Sequence, residues 1–179
     1  MKPKVSVFIA MSLDGFMART DGSIDWLDKA NLKVHEGEDF GYNIFLESVD
    51  ALILGRNTYE AILKFDLWPY KEKRVIVLTT SKIKIPFNLA NTVTASKESP
   101  QDILKHLSDE GIKHVYIDGG ITIQRFLSLG LIDELTITII PLLIGEGKRL
   151  FGSIPTDITL THSKTTIYDF GYVQLKYFI

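Results

Sequence analysis

The residues best suited to chemistry form one short segment, Asp118-Gly119-Gly120-Ile121-Thr122. A strand-like apolar run from His114 to Ile117 precedes it, and an amphipathic run from Ile123 to Leu127 follows. Adjacent glycines between a strand and a helix let a bulky group approach the backbone, and the free N–H groups of the helix's first turn favour an anion. The segment therefore predicts contact with the pyrophosphate of a nucleotide. The alternative is a tight turn in which Asp118 is the helix N-cap.

Two further segments place polar groups where an apolar run ends. In Ser12-Leu13-Asp14-Gly15-Phe16-Met17-Ala18, the Asp-Gly pair predicts a turn whose backbone meets a flat ring such as nicotinamide, or else a plain connection. In Leu54-Gly55-Arg56-Asn57-Thr58-Tyr59-Glu60, a glycine turn leads to Arg56, which binds phosphate as a planar bidentate donor, and to Thr58 at a helix start. The alternative there is that Asn57 caps the helix and Arg56 is solvated.

Two hydroxyl groups and a glycine-containing loop complete this set. Thr79 and Thr80 follow the apolar run Arg74 to Leu78, where they either bond a ribose or phosphate or start a turn. Glycines bracket Glu146 in the segment Pro141 to Phe151, which either lies over a cleft or completes the core. Ligands bind at the carboxyl edge of open sheets with parallel strands, so these segments together predict a nucleotide site. The Gly-x-Gly-x-x-Gly fingerprint is absent, which argues against a standard Rossmann domain.

The elements that must position these residues alternate between strands and helices over the first two thirds of the chain. Helices are predicted at residues 36–48, 57–64, 100–110 and 121–129, and the longest irregular stretches at 19–31 and 82–91. The last two apolar runs predict an antiparallel hairpin around Asp169-Phe170-Gly171. We therefore predict one α/β domain over residues 1–179, with a mixed, mostly parallel sheet, flanking helices and a C-terminal antiparallel hairpin.

Composition excludes several classes of protein. The chain of 179 residues is 45% hydrophobic and has a net charge of −2, so nucleic acid is not an expected partner. It has no cysteine, which excludes disulfides, cysteine-ligated zinc and thiol catalysis and fits a cytoplasmic location. Its four histidines have no metal-ligand spacing, and no metal site is expected. No run reaches the ~18 apolar residues of a membrane span, so no membrane partner is expected.

Taken together, these segments resemble the dihydrofolate reductase-like superfamily over essentially the whole chain. The more similar branch is the C-terminal reductase domain of bacterial bifunctional riboflavin-biosynthesis proteins. That branch is matched by Ser12-Leu13-Asp14-Gly15 with Ala18, by the acidic Asp118 before Gly-Gly, by Leu131-Ile132-Asp133-Glu134-Leu135, by Pro141, and by Gly145-Glu146-Gly147. The segment from Gly55 to Glu60 resembles instead the dihydrofolate reductase motif that holds the 2′-phosphate of NADP. The resemblance implies a three-layer dihydrofolate reductase-like fold and a stand-alone member of the family.

The resemblance also implies NADP(H) as cofactor and assigns residues to it. Arg56 and Thr58 would select NADPH through its 2′-phosphate, with Thr79 and Thr80 nearby. Ala10 and Met17 would flank the nicotinamide. The remaining cofactor-binding residues implied are Gly55 and, along the pyrophosphate, Gly119, Gly120, Ile121 and Thr122.

The implied activity is the NADPH-dependent reduction of a small heterocyclic substrate, similar to that of 5-amino-6-(5-phosphoribosylamino)uracil reductase. Asp14, Asp25 and Asp118 are the candidate catalytic carboxylates, and Asp118 leads because it matches a residue that faces substrate in the riboflavin branch. One alternative is dihydrofolate reductase activity, which is disfavoured because Asn31 stands five places after Trp26, where folate enzymes have a carboxylate. The other is a non-catalytic nucleotide-binding protein. The family resemblance also implies a homodimer.

Overall fold

The structure, a computed structural model, describes all residues from Met1 to Ile179 and is built around an eight-stranded sheet. The strands are β1 (Lys4–Ser12), β2 (Phe16–Ala18), β3 (Ala51–Gly55), β4 (Arg74–Leu78), β5 (Val93–Ser96), β6 (His114–Asp118), β7 (Glu134–Ile140), β8 (Lys148–Arg149), β9 (Thr161–Ile167) and β10 (Val173–Phe178). The order across the large sheet is β5-β4-β3-β6-β1-β7-β10-β9, and β2 pairs with β8 in a separate small sheet. In this order the first six strands, from β5 across to β7, run parallel to one another. Strand β10 pairs antiparallel with β7 and forms the C-terminal antiparallel hairpin with β9. The predicted mixed α/β sheet with its C-terminal hairpin is thus confirmed.

Helices cover both faces of this sheet. They are α1 (Asp25–Asn31), α2 (Tyr42–Ser48), α3 (Arg56–Ile62), α4 (Pro100–Asp109) and α5 (Gly120–Ser128), with a short 3₁₀ helix at Phe87–Leu89. Because side chains alternate along a strand, Ile53 packs with α4 and α5 on one face, while Leu52 and Leu54 pack with α2 and α3 on the other. None of these helices is long and apolar enough to cross a membrane.

Local sequence explains the helix starts that were predicted correctly and those that were not. Helix α4 begins as expected, because the Ser99 hydroxyl accepts the Asp102 N–H and Pro100 occupies the first turn. The helix predicted at 36–48 begins only at Tyr42, since Gly37 and Gly41 adopt positive φ angles of 84° and 80° that interrupt a helix.

The stretch 19–31, predicted to be irregular, contains helix α1. This helix has only seven residues, no side-chain cap, and a fully buried Trp26 that anchors it against the sheet. Tertiary packing therefore stabilises α1 where its local sequence signal is weak.

Candidate active site

The carboxyl ends of the parallel strands bring the predicted segments to one edge of the sheet. In the register of β3 with its neighbours, Gly55 pairs with Leu78 on β4, and Leu54 pairs with Asp118 on β6. The segments that follow these strands therefore emerge beside one another, and the end of β1 continues the row beyond β6. This is the edge at which open parallel sheets bind ligands.

The turn from β6 into α5 presents free backbone donors at the middle of this edge. Helix α5 begins at Gly120, and the N–H groups of Gly120, Ile121 and Thr122 have no acceptor within the protein. Gly119 has a φ of +98°, a conformation that side-chain-bearing residues rarely adopt. Free N–H groups at the positive end of a helix dipole form an anion site. The geometry therefore suits a phosphate group.

The β6–α5 turn is packed against the β3–α3 turn through a reciprocal pair of contacts. A Cβ atom placed on Gly119 would overlap the Oγ1 atom of Thr58, and one placed on Gly55 would come within 2.6 Å of Oγ1 of Thr122. In each turn the glycine stands three residues before the threonine that contacts the other turn. Thr58 and Thr122, both predicted to touch the cofactor, thus also hold the two turns together.

The polar residues at the ends of β3 and β4 differ in how free they are. Arg56 is exposed, and its one ion-pair contact is a long 3.8 Å approach of Nε to Oε1 of Glu60. The Thr79 hydroxyl accepts the Ser81 N–H at 3.1 Å, which closes a local turn. Thr80 is exposed beside it. Arg56 and Thr80 are therefore the residues of this group whose polar atoms are most available to a ligand.

A groove runs along the carboxyl half of β1. This strand lies between β6 and β7, yet Phe8, Ile9, Ala10 and Met11 are only half-buried. Strands inside a parallel sheet are normally covered on both faces. Since side chains alternate, the partial exposure of four successive residues means that neither face of β1 is fully covered at this point. The groove adjoins the β6–α5 turn.

The two residues predicted to flank a nicotinamide ring pack in different clusters: Ala10 lies in the groove on β1, whereas Met17 packs against the main core. The terminal methyl group of Met17 covers Gly120 so closely that a side chain at Gly120 would overlap it. Ala10 packs with an aromatic cluster around Trp26 and Tyr172. Met17 therefore connects the first loop of the chain to the Gly-Gly turn.

Asp118 carries the carboxyl group nearest to the turn and is half-buried. Its Oδ1 accepts the N–H of Gly119 at 2.7 Å, and its Oδ2 accepts the hydroxyl of Tyr70 at 3.0 Å. Burial raises the pKa of Asp118, although the hydrogen bonds from Tyr70 and Gly119 oppose the rise. The alternative in which Asp118 caps α5 is wrong: the N-cap is Gly119, because the carboxyl group turns towards Tyr70 instead of the helix.

Asp14 holds two loops together. Its carboxylate accepts the Ser12 hydroxyl at 2.6 Å and the N–H groups of Ile144 and Gly145 at 3.1 and 2.8 Å. Partial burial raises the pKa of Asp14, but these hydrogen bonds outweigh it and the pKa lies below its ordinary value. The carboxylate therefore ties the loop after β7 to the end of β1.

Asp25 lies in a separate ion-pair cluster at the start of α1. Arg19 donates to it from Nε and Nη2, and Lys29 donates at 3.2 Å. The hydrogen bond from Arg19 is the main reason that the pKa of Asp25 falls to about 2. No hydrogen bond links Asp25 or Asp14 to Asp118, so of the three predicted carboxylates only Asp118 is bonded within the Gly-Gly turn.

Several side chains at the site were not predicted from the sequence. Tyr116 precedes Asp118 by two residues and so shares its face of the sheet, a strand periodicity that the sequence does contain. Tyr70 comes from the loop between α3 and β4, which has no periodic signal. The guanidinium group of Arg149 on β8 lies 4.4 Å from the centre of the Phe16 ring. The backbone carbonyl of Arg149 accepts a hydrogen bond from Nε2 of Gln124 on α5.

Comparison with known proteins shows the family to which this chain belongs. Residues 3–173 match the model of the RibD C-terminal domain. The uncharacterized protein YwjB of Bacillus subtilis (strain 168) is 37% identical over 182 residues, covering 99% of this chain and 98% of YwjB. The crystal structure of a Shewanella sp. PV-4 protein named for riboflavin biosynthesis is 38% identical, with a TM-score of 0.91 and 98% of each chain covered.

A more distant structure shares the fold. It is the Thermotoga maritima diaminohydroxyphosphoribosylaminopyrimidine deaminase/5-amino-6-(5-phosphoribosylamino)uracil reductase, at a TM-score of 0.73 and 16% identity. This chain aligns over 99% of its own length but spans 56% of that protein. From the match to the family model and the near-complete overlap with its relatives, the chain belongs to the RibD C-terminal domain family.

Proposed function

We propose that this protein is an NADPH-dependent reductase of a small heterocyclic substrate, of the kind that reduces 5-amino-6-(5-phosphoribosylamino)uracil. One observation carries the proposal: the free N–H groups at the start of α5 lie at the same sheet edge as the open groove of β1 and the carboxyl group of Asp118. An anion site, a surface for flat rings and a partly buried acid are the parts that such a reduction needs.

The residues present at the edge fit a dinucleotide. The donors of Gly120, Ile121 and Thr122 would hold its pyrophosphate, where a side chain on Gly119 or Gly120 would overlap Thr58 or Met17. Arg56 would hold the 2′-phosphate at the end of β3, with Thr79 and Thr80 beside it on β4. Ala10 and Met17 would flank the nicotinamide at the groove. When bound, NADPH supplies the hydride, and the protein supplies orientation and electrostatics.

The substrate would occupy the face of β1 that carries Phe8 and Ala10. Phe8 stacks on Phe45 at 4.9 Å and meets the edge of Tyr42 at 5.6 Å, which gives this side of the groove an aromatic wall. In our proposal Asp118 gives the proton that accompanies the hydride, since burial favours its protonated form. Asp14 and Asp25 would act through the loops that they hold.

Calorimetric titration with NADPH and NADH tests the cofactor directly. We expect the wild type to prefer NADPH and Arg56→Ala to lose that preference, because a charge-assisted phosphate contact contributes roughly 1.5–3 kcal/mol, about ten- to a hundredfold in affinity. Arg125→Ala is the matched control, since this arginine lies in the last turn of α5, away from the proposed phosphate site. Absence of binding by either nucleotide would refute the cofactor proposal.

An assay of NADPH oxidation separates catalysis from mere nucleotide binding. The decrease in absorbance of the reduced nicotinamide is followed with pyrimidinones, pterins and nitro compounds as candidate substrates. Turnover of a pyrimidinone supports the proposed activity, and turnover of dihydrofolate alone would favour a folate reductase. Tight NADPH binding without turnover of any compound would identify a non-catalytic nucleotide-binding protein.

We also propose that the protein is a homodimer in the cytoplasm. The edge strand β9 is almost entirely exposed, and Ile167 on it is 76% exposed. Open edges with exposed apolar residues are prone to pair with another chain. Sedimentation equilibrium should give the mass of a dimer, and Ile167→Lys should shift it towards the 20.2 kDa monomer. A monomeric wild type at micromolar concentration would refute this.

A further inference from the structure

The hydroxyl group of Tyr70 reaches the acid of the site from a distant loop. It donates to Oδ2 of Asp118 at 3.0 Å, while Oδ1 accepts the N–H of Gly119 at 2.7 Å. Each oxygen of the carboxyl group therefore has one fixed donor, and a carboxylate can accept about four. Two fixed donors define the plane of the group and leave lone pairs free for a ligand.

The loop between α3 and β4 is built so that Tyr70 is held firmly. Tyr70 is 2% exposed, and its ring meets Trp68 edge-on at 5.2 Å. The next residue, Lys71, has a φ of +51°, and the N–H of Lys73 donates to the Tyr70 carbonyl to close the turn. The ammonium group of Lys73 donates to the carbonyl of Val49 at 2.6 Å, just after α2.

The conformation of Lys71 is an unfavourable one. A left-handed residue other than glycine costs about 1–2 kcal/mol, and such strain persists only where the surroundings impose it. Strained residues cluster beside functional groups. Here the strained residue directly follows the one that bonds Asp118, so the turn delivers Tyr70 to that carboxyl group.

The other titratable groups facing Asp118 are also tyrosines. Tyr42 faces it from α2 and Tyr116 from β6, where the Tyr116 hydroxyl donates to the Phe8 carbonyl at 2.9 Å. Burial and the charge of Asp118 raise the pKa values of all these tyrosines, including Tyr70. They therefore stay protonated, and no lysine, arginine or histidine forms an ion pair with Asp118. Among the groups of this cluster, the carboxyl group of Asp118 is the one that can release a proton.

We propose that Tyr70 is a positioning residue: its hydroxyl group holds the Asp118 carboxyl group in the orientation from which Asp118 gives its proton to the bound substrate. The inference rests on the proposed reductase function. In that reaction the substrate's double bond gains a hydride with its electron pair and one proton. The O–H bond of Asp118 breaks, a bond from that proton to the substrate forms, and the carboxylate regains a proton from water. Tyr70 stabilises the charge left on Asp118 at that moment.

A carboxyl-carbon NMR titration of the ligand-free protein tests this pairing without any substrate. The Asp118 signal is assigned with Asp118→Asn. In Tyr70→Phe, which keeps the ring, the pKa of Asp118 should rise by about 1, because the carboxylate loses a charge-assisted donor. Tyr59→Phe is the matched control: Tyr59 is buried, also meets Trp68 edge-on, and donates to the Lys84 carbonyl at 2.9 Å.

An unchanged titration in Tyr70→Phe, or an equal change in Tyr59→Phe, would overturn the assignment.

Kinetics with substrate give a second test. Tyr70→Phe should lower kcat about tenfold, leave KM nearly unchanged and move the pH profile of kcat to higher pH. An effect on KM alone would contradict the assignment. If Tyr70→Phe fails to fold, the fluorescence of Trp68, followed against pH in the Trp26→Phe variant, tests the pairing instead. That signal should follow the Asp118 titration and lose its pH dependence in Asp118→Asn. A wild type that binds NADPH but reduces nothing would refute the proposed function, while the titration still decides the pairing.

Discussion

The β3–α3 and β6–α5 turns are built on one plan and differ in what they offer a ligand. Both have a glycine followed three residues later by a threonine, they lie side by side, and each glycine contacts the threonine of the other. The first turn carries Arg56 after its glycine, and the second carries Gly120. The residue before the glycine is a fully buried leucine, Leu54, in the first turn and a half-buried acid, Asp118, in the second.

The difference indicates that two turns of the same construction offer a ligand different groups: a charged side chain in the first turn and free backbone N–H groups in the second. A permanently charged side chain at the first turn recognises the charge of a phosphate from outside the backbone. A glycine at the second turn lets a ligand reach the free N–H groups of α5. In the proposed function, the first turn would select the nucleotide and the second would hold it beside the reacting groups.

The largest expected effect is a loss of folding stability, which should differ between the glycines of the two turns because their backbone conformations differ. Gly119→Ala should lower the free energy of unfolding by about 2–5 kcal/mol, because φ of +98° is strained for alanine and the methyl group overlaps Thr58. Gly55 has a φ of −78°, so Gly55→Ala should cost only about 1–3 kcal/mol through its contact with Thr122. Urea unfolding curves give both values.

Second substitutions make this contrast sharper. Thr122→Ala removes the only group that obstructs a methyl at Gly55 and should recover most of the loss in Gly55→Ala. Thr58→Ala should recover only part of the loss in Gly119→Ala, since the backbone strain remains. Double-mutant cycles measure both recoveries. Equal recovery in the two turns would mean that their backbones are equivalent.

The next effect concerns binding more than stability. Gly120→Ala should weaken NADPH and NADH alike, by roughly tenfold, because the added methyl group overlaps the end of Met17 and disturbs the turn proposed to hold the pyrophosphate. Folding should change little, since the displaced group is the tip of a flexible side chain. Calorimetry on this variant is compared with Arg56→Ala, which should affect NADPH alone. If both variants lost affinity for NADPH but not for NADH, the proposal that the two turns have different roles would be contradicted.

A smaller effect follows from the acid that distinguishes the second turn. The pKa of Asp118 is raised by burial in the folded protein, so its contribution to stability is complete below the unfolded pKa, ~3.9, and is lost as the pH rises through the folded value. Asp118→Asn should therefore gain stability relative to the wild type as the pH increases from about 4 towards neutrality. Thermal unfolding across this range measures the difference. A difference that is independent of pH would contradict the raised pKa.

The smallest effect comes from Asp25, a carboxylate outside both turns that serves as a reference. Its pKa is lowered to about 2 by Arg19, so its contribution is present above ~3.9 and disappears as the pH falls through about 2. Asp25→Asn should be slightly less stable than the wild type at neutral pH and equal to it near pH 2. The slope against pH is thus opposite in sign to that of Asp118→Asn. Slopes of the same sign would show that the two carboxylates are in similar surroundings.

The sequence predicted what depends on near neighbours in the chain. The Gly-Gly turn, the cap at Ser99 and the hairpin around Phe170 are each set by a few adjacent residues, and the structure has them. The reciprocal contacts of Thr58 and Thr122 could not be predicted from the sequence, although each threonine visibly follows a glycine by three residues. These contacts depend on the register of β3 with β6. That register is set by packing across the whole sheet.

Residues brought from distant loops gave no local signal. Tyr70 bonds Asp118 across 48 positions of the chain, and Asp14 bonds Ile144 across 130. In the sequence Tyr70 is one more aromatic residue in an irregular stretch, and Asp14 is an aspartate in a turn. Their roles became visible only through the partners of their side-chain oxygens.

The position of β1 also has a consequence for how the chain folds. This strand precedes both of its neighbours in the sheet, β6 and β7, which begin only at His114 and Glu134. At ribosomal speeds of about 5–20 residues per second, its apolar residues wait roughly 5–20 s for partners. Pairings at such long separation make folding slow and expose the unpaired strand to aggregation. Within the large sheet, the strand that lines the proposed site is therefore the one that waits longest for a partner during synthesis.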